Sequence, residues 1–322
     1  MKYHPFHLKD ISTYRSELMG WSILWIMMLH FTFNQIKPLG FIAQYGFAGV
    51  DIFLFVSGFG LFFSLDKNNN LIIFYKKRLL RIFPTYYILG AITNIILFHD
   101  DTFTFLFKYS TIGFWIGKDY ADWFIPSIIL LYFLAPFIKK LIDKKWFVLI
   151  SILIICIYMT SYYFADKEDI LDRLHFFLLY RIPAFVFGMT CAFWLKSNTS
   201  SKYYFLIMIL GIPFFIFLYP YHHQFYNFKY YSLAFLLPIF VTSFVLLSKY
   251  TKKINPILKM MGEASLEIYL IQGIFFILVI NGTASAYSEW HDLLSILMII
   301  ASFIGGIVSH WIIDKSGILK LF

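Results

Sequence analysis

The sequence predicts an all-α fold, a polytopic bundle of about ten membrane-spanning helices with both termini in the cytoplasm. Three observations carry that reading. First, 60% of the 322 residues are hydrophobic, 22% aromatic and only 14% charged, with a mean hydropathy of +0.72. A soluble domain has roughly 25% charged residues, and a single soluble globule could not hide so much apolar surface. Second, the apolar residues gather into ten runs, each close to the ~20 residues that a helix needs to cross the hydrocarbon. Third, Lys and Arg alternate between the connections, as cytoplasmic loops demand. The same facts exclude a soluble enzyme, a disordered chain and a disulfide-stapled module. The net charge of +9 is no nucleic-acid footprint, because that requires a basic face on a water-soluble fold.

In chain order, residues 1–17 form a polar tail without a small-residue cleavage site, so no removable signal peptide is expected. The apolar runs follow at about 18–36, 43–64, 82–98, 123–138, 146–164, 175–195, 203–219, 231–248, 264–282 and 293–313. The stretch 103–116 is apolar but short, and is expected to lie at the interface. Trp123 and Trp146 stand at run ends, where aromatic anchors are common. Cys156 and Cys191 fall inside runs and read as buried small hydrophobes. Residues 314–322 form a short cytoplasmic tail, with no further domain expected after it.

The charges test the count of ten. The N-terminal tail, the even-numbered connections and the C-terminal tail hold 20 of the 27 Lys and Arg. The odd-numbered connections hold 6, and Arg181 lies within the sixth run. One missed or invented helix would blur this split, which orients both termini to the cytoplasm.

Ionisable groups inside a bilayer cost several kcal/mol and are functional candidates by default. Within the runs they are His30, Asp51 and Arg181, with Glu267 and His310 nearer the cytoplasmic ends. At about 1.5 Å rise per residue, His30 and Arg181 lie about 9 Å and Asp51 about 12 Å below the outer surface. Two readings are open. In one, Asp51 and Arg181 form a structural ion pair and His30 is a satisfied core histidine. In the other, His30 is a general base oriented by a carboxylate. A second feature is YKKRLLRIFPTYY, which crowds Lys76, Lys77, Arg78 and Arg81 at the expected N-terminus of the third helix, with Pro84 in its first turn. It reads either as membrane anchoring or as a clamp for a phosphorylated cytosolic donor, helped by free helix N–H groups. Ser57 and Ser127 read as helix-packing hydroxyls, and Gly58 and Gly60 as points of close helix approach. In YPYHHQFY, His222 and His223 lack a nearby third ligand, so no metal is predicted, and the aromatics suit stacking on a sugar.

Together these motifs resemble the membrane acyltransferase-3 family, whose members O-acylate sugars and other surface glycans. RSELMGWSILWIMMLH (15–30) is similar to the family's first helix, with Gly20 ten residues before His30. GFAGVDIFLFVSGFG (46–60) resembles the second, with Gly46, Gly49, Val50, Asp51, Phe53, Ser57, Gly58 and Phe59 in register. KKRLLRIFPTYY (76–87) resembles a segment that carries Arg78, Arg81, Pro84 and Tyr86. WFIPSIILLYFLAP (123–136), RIPAFVFG (181–188) and GEASLEIYLIQ (262–272) resemble later helices. The chain departs from the family at Met19, where most members carry a basic residue, although Arg15 stands one helical turn earlier. Gln272 stands where a histidine is common, and no catalysis is assigned to it.

The resemblance implies a single domain over 1–322 in a bacterial-type cytoplasmic or inner cell membrane. It implies an O-acetyltransferase acting on a cell-surface polysaccharide or its lipid-linked precursor. His30 and Asp51 would be catalytic, and Arg78 and Arg81 would hold the phosphates of cytosolic acetyl-CoA. Arg181, Trp123 and Ser127 would bind the sugar acceptor. A thin channel among the first, second, third and sixth membrane helices would join donor to acceptor. Direct transfer and an acyl-enzyme relay both fit. The partners are then an acyl-CoA donor, a glycan and the lipid bilayer, with no nucleic acid and the oligomeric state open. A proton-coupled transporter or flippase for a glycan or small metabolite would use the same buried groups as a binding site. A non-catalytic scaffold is a third possibility.

Overall fold

The computed structural model describes residues 5–31, 33, 36–67, 70–116, 121–164, 178–199, 201–218, 234–282 and 291–317. Among these residues there are helices and no strand. The chain opens with α1 (Leu8–Thr13), α2 (Arg15–Phe31), α3 (Lys37–Ala43), α4 (Ala48–Lys67) and α5 (Leu71–Thr93), which a π-turn extends through Asn94–Phe98. Next come α6 (Thr102–Tyr109), α7 (Ile112–Ile116), α8 (Phe124–Asp143), α9 (Phe147–Phe164) and α10 (Ile182–Lys196). The last five are α11 (Lys202–Leu218), α12 (Leu237–Tyr250), α13 (Asn255–Glu263), α14 (Ser265–Gly282) and α15 (His291–Lys315). Each of the ten apolar runs contains a helix, and the stretch 103–116 is the short pair α6 and α7.

Four helices, Ala48–Lys67, Leu71–Phe98, Phe124–Asp143 and Asp292–Lys315, are long and apolar enough to cross a membrane. The pair Asn255–Glu263 and Ser265–Leu278, bent by 78°, makes a fifth if taken as one broken span. Four other runs form shorter apolar helices. Large apolar side chains such as Val148, Ile155, Ile209 and Ile216 face outward, as a lipid solvent permits and water does not. Cys191 is buried as expected, but Cys156 lies on this outward face of α9.

Two tight crossings hold the centre. Gly58 on α4 lies against the Phe185 carbonyl of α10, and Gly188 on α10 against the Phe55 carbonyl of α4. A Cβ at either position would collide with backbone, so only glycine lets these helices touch. Gly20 and Gly262 make the same reciprocal contact between α2 and α13. Gly60 differs from the expected close approach: it gives room to a side chain, its Cβ position standing 3.5 Å from Arg15 Nε.

The start of α5 corrects one expectation. Asn70 caps the helix by accepting the Ile72 and Ile73 N–H groups at 3.0 and 3.2 Å. The helix therefore begins before the basic cluster, and Arg78, Arg81 and Pro84 lie in its interior rather than at its N-terminus. Free helix N–H groups cannot assist those arginines.

Candidate active site

His30, Asp51 and Arg181 all sit at helix ends. The helix α2 stops at Phe31 rather than near 36, which leaves His30 in its last turn. Asp51 falls in the first turn of α4, where a carboxylate suits the positive end of the helix dipole. Arg181 is the residue that caps α10.

The structure pairs Asp51 with Arg181. Arg181 Nη1 lies 3.2 Å from Asp51 Oδ1, with both side chains buried, and also donates to the Phe47 carbonyl at 3.2 Å. The guanidinium stands 5.0 Å from the centre of the Trp123 ring. No hydrogen bond joins Asp51 to His30 among the described residues. The expectation that Asp51 orients His30 therefore gives way to a closed ion pair bridging α4 and α10.

His30 lines a different space. A cavity of about 310 Å³ opens between α2, α5, α14 and the turn before α8, and the helix carrying Arg181 does not line it. Its polar wall includes His30, Tyr86, Asp122, Tyr269 and Gln272, with Thr93, Tyr109 and Trp123 beside them. His30 packs 5.2 Å from the Phe276 ring, measured between ring centres. Gln272 is a neighbour of His30, yet neither amide atom of Gln272 nor His30 Nδ1 makes a hydrogen bond of regular geometry. Asp122 Oδ1 accepts the Ile125 N–H at 2.9 Å and the Tyr269 hydroxyl at 3.3 Å. Asp122 as a residue is partly buried, but its Oδ2 is shielded from solvent and has no such partner. Burial pushes the Asp122 carboxyl above the usual carboxylate range, against the pull of the Ile125 N–H and the Tyr86 hydroxyl.

A smaller cavity of about 90 Å³ shares Tyr269 with the first and is lined by Ile23, Phe53, Arg81 and Tyr132 among others. Arg81 is exposed at its edge. Arg15, Arg78, Arg81 and Tyr132 lie within electrostatic reach of one another. Arg78 donates to Ser64 at 2.6 Å, while its buried Nε has no partner. Among the described residues no carboxylate pairs with these three arginines. Like charges held together without counter-charges form an anion site, and guanidinium forks match phosphate oxygens. The residues present thus suit the phosphates of a coenzyme A thioester.

The expected site residues therefore divide. His30 and Trp123 line the large cavity, Arg81 edges the small one, and Arg78 stands beside it. Asp51 and Arg181 are drawn off into their own pair. Ser127 lines neither cavity, and its hydroxyl donates to the Trp123 carbonyl at 2.6 Å. Glu267 and His310 pair at 3.1 Å between α14 and α15. His222 and His223 lie outside the described residues. Asp122, Tyr86 and Tyr269 were not picked out as site residues from the sequence. A carboxylate directly preceding an apolar run was the available signal, and it reads equally well as a loop residue.

Fold and site together define a membrane protein whose helices hold a histidine-lined cavity next to a smaller one edged by an arginine. The Acyl_transf_3 family model, described as an acyltransferase domain, matches residues 18–315, and the chain belongs to that family. The protein named "Putative acetyltransferase ORF330", from Acidianus two-tailed virus, is 27% identical over 210 residues. That match covers 61% of this chain and 62% of the viral protein, so the chain spans less than two thirds of that relative. No solved structure matches the chain.

Proposed function

We propose that this chain is a multi-pass membrane O-acyltransferase that moves an acetyl group from cytosolic acetyl-CoA to a sugar hydroxyl. The acceptor would be a cell-surface polysaccharide or its lipid-linked precursor, reached from the outer side of a bacterial-type cytoplasmic membrane. Ten crossings with both termini in the cytoplasm would put the arginines on the donor side and His30 towards the acceptor side. The supporting observation is the common wall at Tyr269. On one side stands His30, whose Nδ1 makes no hydrogen bond of regular geometry, and on the other Arg81, from an arginine cluster that no described carboxylate pairs with.

Bound at those arginines, acetyl-CoA would supply an acetyl group activated as a thioester. His30 takes the proton of the acceptor hydroxyl as its oxygen bonds to the acyl carbon and the C–S bond breaks. The imidazolium then returns that proton to the departing thiolate. An imidazole whose Nδ1 makes no hydrogen bond of regular geometry suits this exchange. Asp51 and Arg181 contribute by fixing α4 against α10, and Trp123 carries that pair to the cavity wall.

The test compares base-labile acetyl esters on surface glycans, by mass spectrometry, in strains with wild-type protein, His30→Ala or no protein at matched membrane levels. Esters lost in both altered strains support the reading. Esters retained with His30→Ala remove the histidine mechanism. A wild-type protein that turns over no acyl-CoA moves the transporter reading ahead.

A further inference from the structure

Buried polar groups are nearly always paired, and an unpaired one costs about 1–3 kcal/mol. The large cavity concentrates such groups. Asp122 Oδ2 and both amide atoms of Gln272 are buried and make no hydrogen bond of regular geometry, although the Tyr86 hydroxyl reaches the Asp122 carboxyl and Gln272 neighbours His30; Gln272 is only 1% exposed. The two residues come from the turn before α8 and from α14, and both line the cavity with His30. The carboxylate does not drift, because Oδ1 is held by the Ile125 N–H and the Tyr269 hydroxyl.

Resting on the acyltransferase reading above, we propose that Asp122 and Gln272 form the acceptor subsite, built for a neutral polyhydroxylated ring such as a hexose. Three features select that ligand. The atoms without a regular hydrogen bond include an amide donor, an amide acceptor and a carboxyl oxygen, a set that adjacent ring hydroxyls satisfy because each both donates and accepts. Among the described residues no Lys or Arg lines the cavity, so an anionic group entering it meets the Asp122 carboxyl first. The size, about 310 Å³, is at the lower end of the roughly 300–1,000 Å³ usual for ligand pockets, and Trp123 offers an aromatic face to a ring. Phe98 on the rim is exposed, so the cavity reaches the surface at the end of α5. Asp122 and Gln272 are thereby positioning residues that present a hydroxyl to His30, and His30 alone carries the proton.

The test is binding of methyl glycosides to the purified full-length protein without acyl donor, read by tryptophan fluorescence and calorimetry. Neutral hexosides are expected to bind, and the corresponding uronides to bind at least about tenfold more weakly. Asp122→Asn keeps the Oδ1 acceptor and the shape, and is expected to weaken hexoside binding about 10- to 100-fold, the range for hydrogen bonds to charged groups. Acetyl-CoA affinity should stay unchanged. Gly273→Val is the second variant: Gly273 lines the cavity, and nothing among the described residues lies within 4 Å of its Cβ position, so the added side chain starts in open space. It should abolish hexoside binding at unchanged thermal stability.

Wild-type protein that binds no neutral hexoside at millimolar concentration overturns the subsite. So does Asp122→Asn with unchanged hexoside affinity, or uronide binding equal to hexoside binding. Because the assay needs no acyl transfer, hexoside binding without transfer would sink the enzymatic reading while leaving the subsite standing. Transfer that is indifferent to Asp122→Asn would do the reverse.

Discussion

Two buried polar clusters, both expected near the outer side of the bundle, have opposite characters. Asp51 and Arg181 face each other at 3.2 Å, and the guanidinium also meets a backbone carbonyl and an aromatic ring. The cluster around His30 has a carboxyl oxygen, a primary amide and an imidazole nitrogen without a hydrogen bond of regular geometry, on residues that line a cavity. Charge and depth in the sequence did not separate the two. Charge pairing does: Asp51 and Arg181 meet across two helices and are structure, whereas polar groups that line a cavity without such a pairing are available for a ligand.

The contrast can be broken experimentally, with the largest effect at His30. A general base contributes about 10²–10⁴-fold, so His30→Ala should cut acetyl transfer by that factor. Thermal stability should stay within about 1 kcal/mol of wild type, because no regular hydrogen bond at Nδ1 is lost. The ion pair should show the inverse pattern. Asp51→Ala or Arg181→Ala strands a buried charge and should destabilise the fold by about 3–5 kcal/mol, read as thermal unfolding in detergent. The double change Asp51→Leu with Arg181→Met should recover most of that loss. If Asp51→Ala instead abolished transfer at full stability, the pair would belong to the chemistry.

Smaller effects sharpen the frame around the clusters. Gly188→Val drives a side chain into the Phe55 carbonyl and should cost about 1–3 kcal/mol as α4 and α10 are forced apart, lowering the yield of folded protein. Arg15→Ala removes one of three clustered guanidiniums and should raise the KM for acetyl-CoA about tenfold with kcat unchanged, the loss of one charge-assisted contact. Added salt should shrink the difference between wild type and variant. Ser127→Ala should change transfer less than about threefold, because its hydroxyl is spent on its own helix. A larger loss there would return Ser127 to the site.

Much of the fold was legible in the order of residues. Every apolar run contains a helix because a helix satisfies its backbone hydrogen bonds within the run itself, as lipid demands and as a continuous apolar run of this length favours. The helix ends were less legible: Asn70 begins α5 ahead of its basic cluster because a cap outweighs the polarity of the residues after it. Of the site, the lone histidine and the arginines could be named in advance, since ionisable groups are rare in such a sequence.

What the sequence determined by itself was the solvent, the helices and the short list of residues able to do chemistry, all set by composition and spacing along one chain. Only the tertiary structure decided which of them meet. Asp122 is held by Tyr269, 147 residues away, and Asp51 pairs with Arg181, 130 residues away. A hydrogen bond depends on a separation of about 3 Å in space, and no local pattern encodes that distance across helices brought together by reciprocal glycines.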